Sequence, residues 1–559
     1  MVGLRKVEDR PTPSAVYNWR VYLCAIVAAT AAIMIGYDSA FIGTSIATTA
    51  FKKEFGLLAP KTSAARFATI SANSEFSVGG VVSTYQGGCF FGALLGYPAG
   101  VLLGRKWGLL LSALVFCLGA GVMLAADDGA RGLGPIYAGR IVAGLGIGAA
   151  SNLTPLYISE IAPPAIRGQL VGMYECGWQI GGLVGFWINY GISKHIPVSN
   201  KQWIIPFAIQ LLPGGLFAIG IPLFIKESPR WLLSIGRRDE AIKNLCYLRQ
   251  LSPEDPYIIE EVNMIDIQIQ HDIAAVGEGF WAPFRQVFTR WDLTKRLLIV
   301  TTLFAFQNGT GINAINYYSP TIFKSIGIQG SQTGLLTTGI FGVIKTIGGF
   351  AWTFLIIDHF GRRGILLVGA IGGAAAMAVI AGYNHIGDPA NHPRASGDLP
   401  AGDLAAMVFF YVWTAFYAVS WNGTPWVVCS EVFPGAVRMV TTMFAAAANW
   451  LYNFAIARAT PTMFLKMGHS GWGVYLFFCI CQIISVPYII FLLPETKHVP
   501  LEEMDRLWQL SPWTANQKVM SELRREHDVS GQEGPAYIHQ DKNQGSDERF
   551  ESSSEKNTV

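Results

Sequence analysis

Apolar runs long enough to cross a bilayer alternate with short polar loops along most of the chain. A helix of about 20 apolar residues spans the hydrocarbon core of a membrane. The pattern predicts twelve spanning helices, at residues 21–46, 78–100, 107–126, 134–158, 168–191, 203–225, 296–316, 333–357, 364–384, 404–428, 438–465 and 472–493. We therefore predict an all-α membrane protein with two six-helix halves, 21–225 and 296–493, joined by a polar helical insert at 226–295.

The composition supports a membrane protein surrounded by lipid. Charged residues make up 14% of the 559 residues, whereas an ordinary soluble domain carries roughly 25%. Such a chain has too few charges to solvate several soluble domains, which excludes a soluble enzyme, a nucleic-acid binder and a disordered protein. The sequence shows no metal-ligand spacing, phosphate-binding loop or nucleophile arrangement, so we expect no enzyme activity, metal or cofactor.

The distribution of Lys and Arg predicts the orientation of the spans. Basic residues in the short loops fall mostly on one side, which by the positive-inside rule is cytosolic. The first outer loop is an exception, with Lys52, Lys53, Lys61 and Arg66. We expect a cytosolic N-terminus at 1–20, a cytosolic insert and a largely disordered cytosolic tail at 494–559. Lysines of that tail could accept ubiquitin.

Two loop motifs recur at matched positions in the two halves. Ser159-Glu160 with Arg167 after the fourth span corresponds to Ser430-Glu431 with Arg438 after the tenth. Gly104-Arg105-Lys106 after the second span corresponds to Gly361-Arg362-Arg363 after the eighth. Matched motifs indicate an internal duplication, and a duplicated bundle with a path between its halves is typical of a transporter.

Asp38 lies inside the first span, where a carboxylate costs about 2.5–3.5 kcal/mol on insertion scales. Arg140, at the start of the fourth span, is its candidate partner. A nearby guanidinium keeps the carboxylate ionised, and its departure favours protonation. The pair is therefore either a proton-coupling site or a static structural ion pair.

Lys345 lies far from both ends of the eighth span. Its ammonium either snorkels to the membrane surface or lines a substrate cavity. A cation in the cavity would be explained by a carboxylate on the substrate. Glu175, in the fifth span, either pairs with Lys345 in the empty state or accepts hydroxyl groups of the substrate.

Side-chain amides are frequent on the apolar helices. Each amide offers a donor and an acceptor and so suits vicinal hydroxyl groups, although each alone serves equally well as a contact between helices. The candidates are Gln179, Gln307, Asn308, Asn313, Asn316 and Asn449.

Ordered motifs between residues 20 and 505 resemble the sugar-porter branch of the major facilitator superfamily. They include Gly36-Tyr37-Asp38, Gly139-Arg140, Pro155-x-Tyr157-x-Ser159-Glu160, Glu227-Ser228-Pro229-Arg230, Asp358 to Arg363, Pro425-Trp426, Ser430-Glu431-x-Phe433-Pro434 and Pro494-Glu495-Thr496-Lys497. The resemblance implies alternating access and gives Asp38 and Arg140 a proton-coupling role.

The same resemblance implies roles for further residues. Gln307, Asn308, Asn313 and Asn449 match sugar-contacting positions, and Trp426 and Trp450 match aromatic platforms. Tyr317 and Tyr318 match an outer gate. The inner salt-bridge network of the family corresponds to Arg105, Glu160, Arg167, Glu227, Arg362, Glu431 and Arg438.

Several positions depart from the sugar-porter pattern. Glu175 stands where Gln is usual, Asn308 replaces the second Gln of a pair, and Lys345 replaces Asn. The spacing from Lys345 to Asp358 is one residue longer than usual. The opening residues 8–20 and the segment 174–182 resemble the fungal quinate permeases. That resemblance implies proton-coupled import of quinate, a polyhydroxylated carboxylate, across the plasma membrane. The alternatives are a hexose or polyol carrier of the same family, and a nutrient sensor built on a transporter fold.

Overall fold

The computed structural model describes residues 12–57, 64–127, 131–327, 331–357, 359–389, 400–497, 499 and 504–530. In these residues the chain forms helices and the turns between them. The first half contains α1 (Trp19–Ala47), α2 (Thr49–Glu54), α3 (Ala64–Leu102), α4 (Arg105–Met123), α5 (Gly134–Ile161), α6 (Arg167–His195), α7 (Lys201–Ile209) and α8 (Leu211–Phe224). All but α2 are membrane spans, with α7 and α8 together forming the sixth.

Four helices follow in the insert: α9 (Pro229–Ser234), α10 (Arg238–Arg249), α11 (Pro256–Val276) and α12 (Ala282–Thr289). The second half contains α13 (Trp291–Gly309), α14 (Ile312–Ser325), α15 (Ser331–Ala351), α16 (Arg362–Gly387), α17 (Ala401–Ala418), α18 (Thr424–Val432), α19 (Gly435–Lys466) and α20 (Trp472–Leu492). These form six further spans, because α13 and α14 share one and α17 and α18 share another.

The prediction of an all-α, twelve-span architecture is confirmed. Eight of the described helices are apolar and long enough to cross a bilayer by hydropathy alone. The other four spans are formed by α3, by α6, by α13 with α14, and by α19. The last three of these supply most of the polar side chains of a central cavity. Hydropathy alone therefore misses several of the helices that build the site.

Two spans break near the middle of the bundle. The turn between α13 and α14 contains Gly311 with φ +95°, a left-handed conformation that glycine adopts without strain. The second break, between α17 and α18, leaves the carbonyl groups of Trp421 and Asn422 outside any helix. These carbonyl groups are free to accept hydrogen bonds from side chains, as broken helices in transporters commonly allow.

A π-helical turn at Trp352–Ile356 extends α15. One π-turn accommodates a single additional residue in a helix. It therefore accounts for the extra residue in the spacing between Lys345 and Asp358, although Asp358 itself lies outside the described residues.

The two halves pack together along α3 with α19 and along α6 with α15. We call the end of the bundle next to α9–α12 the insert end, and the other the opposite end. At the opposite end α1 meets α14, where a Cβ on Gly43 would lie 2.0 Å from the carbonyl oxygen of Tyr317. Only glycine permits this approach, so the opposite end is closed by backbone contact between the halves.

The tail differs from the sequence-based expectation. Two helices, α21 (Met504–Gln509) and α22 (Ala515–Ser530), pack through Met504, Leu507 and Val519. Asp505 forms an ion pair with Arg296 of α13, with 2.6 Å between Oδ1 and Nη1. Part of the tail, within 504–530, is therefore helical, because a few apolar residues at helical spacing suffice when a neighbouring surface covers them. Residues 531–559 lie outside the described residues.

Candidate functional site

A central cavity of about 500 Å³, its open mouth included, lies between the two halves. The lining residues come from both halves: Glu175, Trp178, Gln307, Ile312, Asn313, Asn316, Lys345, Tyr417, Asn422, Trp426, Asn449, Trp450 and Asn453. Amides and indoles predominate, a set that suits a ring with several hydroxyl groups.

Two of the described lining residues carry charge, and their charges are opposite. Lys345 is 8% exposed and makes no hydrogen bond or ion pair within 4.0 Å to the described residues. Glu175, on the other half, lines the same cavity and interacts with Lys345 electrostatically. Snorkelling to the membrane surface does not describe this lysine, because its side chain ends in the cavity.

The Glu175 carboxylate is held by two amides. Its Oε1 accepts hydrogen bonds from Nε2 of Gln179 at 2.6 Å and from Nδ2 of Asn422 at 2.5 Å. Gln179 is thus a neighbour that orients Glu175 and does not itself line the cavity. Because Asn422 belongs to the second half, the carboxylate connects the two halves across the site.

The predicted amides form a connected network. Nδ2 of Asn313 donates to Oδ1 of Asn308 at 2.5 Å, and Nδ2 of Asn308 donates to Oδ1 of Asn449 at 2.8 Å. Nε2 of Gln307 donates to the carbonyl groups of Trp421 and Asn422, at 2.8 and 2.9 Å. Asn308 is buried behind this network, while Gln307, Asn313 and Asn449 reach the cavity.

The predicted indoles also lie in the cavity wall. Trp450 stacks on Trp178, with ring centroids 6.4 Å apart and an interplanar angle of 17°. Trp450 Nε1 donates to Ser151 Oγ of the first half at 3.3 Å. Trp426 packs edge-on against Phe304. The two indoles are therefore fixed in orientation and present apolar faces to a ligand.

Asp38 and Arg140 form an ion pair away from the cavity. Nη1 of Arg140 lies 3.0 and 2.8 Å from the two carboxylate oxygens, and both side chains are 0% exposed. Arg140 also lies over the ring of Tyr85, with its Cζ 4.3 Å from the ring centroid. Its Nη2 has no hydrogen-bond partner among the described residues. The arrangement places an isolated carboxylate and guanidinium together in a site without solvent access.

The two predicted gate tyrosines lie where α14 kinks. Tyr318 has non-helical backbone angles, and its Oη donates to the Ala457 carbonyl at 2.9 Å. The Tyr317 carbonyl lies against Gly43, and Asn453 donates to Tyr317 Oη at 3.4 Å. Both tyrosines are buried at the closed end of the bundle.

The charged motifs at the insert end form one cluster in each half. In the first, Arg105 donates two hydrogen bonds to Glu160, from Nε at 2.9 Å and from Nη2 at 2.8 Å. Backbone amides of Arg105 and Lys106 donate to Glu227. Burial raises the pKa of Glu227 above its usual range, although these amides oppose the shift.

In the second cluster, Nη2 of Arg362 donates to Oε1 of Glu431 at 2.9 Å. Thr496 donates to the other oxygen of Glu431 at 2.6 Å. Arg438 bonds to the Phe433 carbonyl and has further interactions, as has Arg167 in the first half. The pairs Arg105–Glu160 and Arg362–Glu431 each lie within one half.

Asn422, Tyr417 and Asn453 line the cavity but were not predicted as site residues. Asn422 lies in the break between α17 and α18. The hydropathy of this segment predicts one continuous span, so the break was not expected there. Asn453 follows Asn449 by one helical turn on α19, so that spacing could have identified it. Tyr417 had no distinguishing signal among the aromatic residues of its apolar helix.

Comparisons with known proteins give a consistent result. The family model described as sugar (and other) transporter matches residues 24–508. A probable quinate permease of Aspergillus niger is 55% identical over 524 residues, covering 94% of each chain. A quinate permease of Emericella nidulans is 53% identical, covering 94% of this chain and 96% of the other.

Solved structures agree with the fold. The proton:xylose symporter XylE bound to 6-bromo-6-deoxy-D-glucose superposes with a TM-score of 0.71 at 26% identity, covering 87% of this chain and 99% of the other. The partially occluded inward-open conformation of XylE from E. coli gives a TM-score of 0.69 at 25% identity, covering 86% and 100%. The relatives are permeases and transporters, not enzymes.

Proposed function

Because the chain belongs to the sugar (and other) transporter family, we propose that it is a proton-coupled importer of quinate across the plasma membrane. In this proposal the insert end and both termini are cytosolic, as the positive-inside rule predicts. The lipid bilayer surrounds the apolar outer surface. The similarity to quinate permeases over nearly the whole chain supports the choice of substrate.

The observation that carries the proposal is the position of Lys345. Its ammonium makes no ion pair within 4.0 Å to the described residues, and Glu175, the only acidic residue among the described lining residues, interacts with it over a longer distance. The ammonium is therefore available to a carboxylate of the substrate. Quinate brings a carboxylate on a ring with several hydroxyl groups. A hexose brings hydroxyl groups alone and would leave the lysine without a function.

The remaining lining residues suit the ring of quinate. Gln307, Asn313 and Asn449 offer amide groups at fixed positions, because the hydrogen-bond network holds them. Trp426 and Trp450 offer indole faces for the C–H groups of the ring. A cation, several fixed amide groups and two indole faces in one cavity together support a polyhydroxylated carboxylate as the substrate.

Proton coupling is assigned to Asp38 and Arg140. While Arg140 remains at 2.8 Å, the carboxylate stays ionised. Movement of α5 relative to α1 would remove the guanidinium and leave a buried carboxylate, which then takes a proton from the outer side. The absence of a hydrogen-bond partner for Arg140 Nη2 in the described residues supports a pair that can rearrange.

Alternating access then exchanges contacts at the two ends of the bundle. Tyr317 and Tyr318 close the outer side against α1 and α19 in the present conformation. The clusters around Arg105 and Arg362 each lie within one half and stabilise the ends of its spans that are cytosolic in this proposal. Ubiquitin attachment to the tail, for example at Lys518, would control the amount of carrier at the membrane.

Uptake of labelled quinate into yeast without its own carrier tests the proposal. We expect uptake that is faster at external pH 5 than at pH 7 and that excess unlabelled quinate abolishes. Excess glucose should have little effect. Accumulation of glucose or a neutral polyol in place of quinate would identify a sugar carrier, and binding without net uptake would identify a sensor. Either result contradicts the proposal.

A further inference from the structure

The charges of the central cavity cancel when it is empty. Among the described residues that line it, Lys345 and Glu175 are the charged pair. A bound quinate carboxylate adds one negative charge to this balanced site. An uncompensated charge in a site of low dielectric is costly, and a protein group commonly changes its protonation state to remove it.

We propose that Glu175 takes up one proton when an anionic substrate binds and releases it with the substrate. This inference rests on the proposed function and makes Glu175 a proton site separate from Asp38. The state of Asp38 follows the position of Arg140, whereas the state of Glu175 follows the occupancy of the cavity.

The hydrogen bonds of Glu175 are compatible with both states. Gln179 and Asn422 both donate to Oε1, and this oxygen remains an acceptor after protonation. Oε2 makes no hydrogen bond to the described residues and lies on a side chain that lines the cavity. The proton can therefore reside on Oε2, from which the hydroxyl donates to an oxygen of the substrate.

Other groups around Glu175 do not supply the missing charge. Tyr417 of α17, with Tyr174 and Cys176 of α6, lies close enough to interact with it. Their side chains are neutral at the pH of transport. On α1 and α5, which also pack near α6, Asp38 and Arg140 compensate each other. Lys345 thus remains the cation for which Glu175 and the substrate compete.

The proton balance of the step is simple. The substrate carboxylate displaces Glu175 from the field of Lys345, and water on the outer side supplies one proton to Oε2. After the cavity opens to the cytosol, the substrate anion leaves, the proton returns to water, and the Glu175 carboxylate again compensates Lys345. No other group needs to change its charge.

Calorimetric titration of quinate into the purified full-length protein tests this inference. Repeating it in buffers of different ionisation enthalpy gives the number of protons bound with the ligand. At pH 7 the wild type should take up roughly one proton, and its Kd should increase about tenfold per pH unit above that. Glu175→Gln imitates the protonated acid, so it should take up none and bind with a Kd independent of pH.

Three controls distinguish proton uptake by Glu175 from proton uptake by other groups. The neutral amide of quinate adds no charge and should bind the wild type without proton uptake, a comparison that requires no variant. Asp38→Asn should still take up the proton, which assigns it to Glu175, and the exposed Glu278→Gln should behave as wild type.

Proton uptake that persists in Glu175→Gln would overturn the inference. So would quinate binding to the wild type without proton uptake, which leaves the proposed function intact. If quinate fails to bind the wild type while a neutral polyol binds, the proposed function itself is wrong, and the inference falls with it.

Discussion

Glu227 and Glu495 cap equivalent helices in the two halves. Oε1 of Glu227 accepts from the backbone amides of Arg105 and Lys106 at the start of α4, at 2.8 and 3.1 Å. The carboxylate of Glu495 accepts from the amides of Arg362 and Arg363 at the start of α16, at 2.9 and 3.0 Å. A carboxylate at a helix N-terminus satisfies free amides and compensates the helix dipole.

Glu495→Gln should destabilise the second half. The amide keeps one acceptor oxygen, but its NH2 group replaces the oxygen that accepts from the second backbone amide, and the negative charge is lost. We therefore expect a loss of about 1 kcal/mol in the free energy of unfolding. Thermal unfolding of the detergent-purified protein measures the change, with the exposed Glu278→Gln as control. Equal stability of the two variants would show that Glu495 contributes nothing as a cap.

Glu227 should make the stability of the folded protein depend on pH. Burial raises its pKa, so the folded protein holds this proton more tightly than the unfolded chain. The resulting stabilisation is present below the ordinary carboxyl range and is lost as pH rises through the raised pKa. Glu227→Gln cannot ionise, so its Tm relative to wild type should increase between pH 4 and pH 7. A difference that is constant or decreases over this range would contradict the assignment.

Asp38→Asn should reduce accumulation of quinate against a gradient, because the proton exchanged at this site is lost and only the proton taken up by Glu175 remains coupled to transport. Exchange of labelled for unlabelled quinate across proteoliposomes needs no proton gradient and should persist. Accumulation equal to wild type would show that the Asp38–Arg140 pair is structural.

The free energy of unfolding supplies a second test of the Asp38–Arg140 pair. Removal of one partner of a buried ion pair costs about 3–5 kcal/mol, because the other charge remains uncompensated. Asp38→Asn should therefore be less stable than the double variant with Arg140→Gln. If the losses of stability caused by Asp38→Asn and by Arg140→Gln add in the double variant, the two residues are not coupled in the folded protein.

Gly43→Ala should hinder closure of the opposite end. The new methyl group would lie 2.0 Å from the Tyr317 carbonyl, and overpacking of this kind costs about 1–3 kcal/mol. The closed arrangement should become roughly 5- to 150-fold rarer. Quinate should still bind from outside while uptake falls.

Gly191→Ala is the matched control for this test, because a Cβ there meets no atom within 4 Å. Uptake by Gly43→Ala equal to that of the control would show that the contact between α1 and α14 does not control transport.

The sequence predicted the twelve spans because each apolar run is long enough to cross a bilayer. It could not place the break between α17 and α18, because the carbonyl groups of Trp421 and Asn422 that the break leaves without helical partners accept hydrogen bonds from Gln307 of a distant span. Asn422 was therefore missed. Glu495 was recognised as part of a motif, but its equivalence to Glu227 depends on the three-dimensional position of two helix ends.

Charged residues in apolar helices were the most informative signals. Lys345, Glu175, Asp38 and Arg140 were all identified because a charge inside a membrane span needs a partner. Sequence reasoning left open whether Glu175 pairs with Lys345 or accepts substrate hydroxyls. The structure shows Glu175 bonded to Gln179 and Asn422, an arrangement that depends on packing between the halves.

The central claim is that Lys345 recognises the substrate carboxylate. The most direct measurement compares uptake of labelled quinate and of its neutral amide by proteoliposomes containing wild type or Lys345→Asn, with the exposed Lys466→Asn as control. A charge-assisted hydrogen bond contributes about 1.5–3 kcal/mol, so Lys345→Asn should lose quinate uptake roughly 10- to 100-fold while uptake of the amide is retained. Equal losses for both compounds, or quinate uptake that remains at the wild-type rate, would contradict the account.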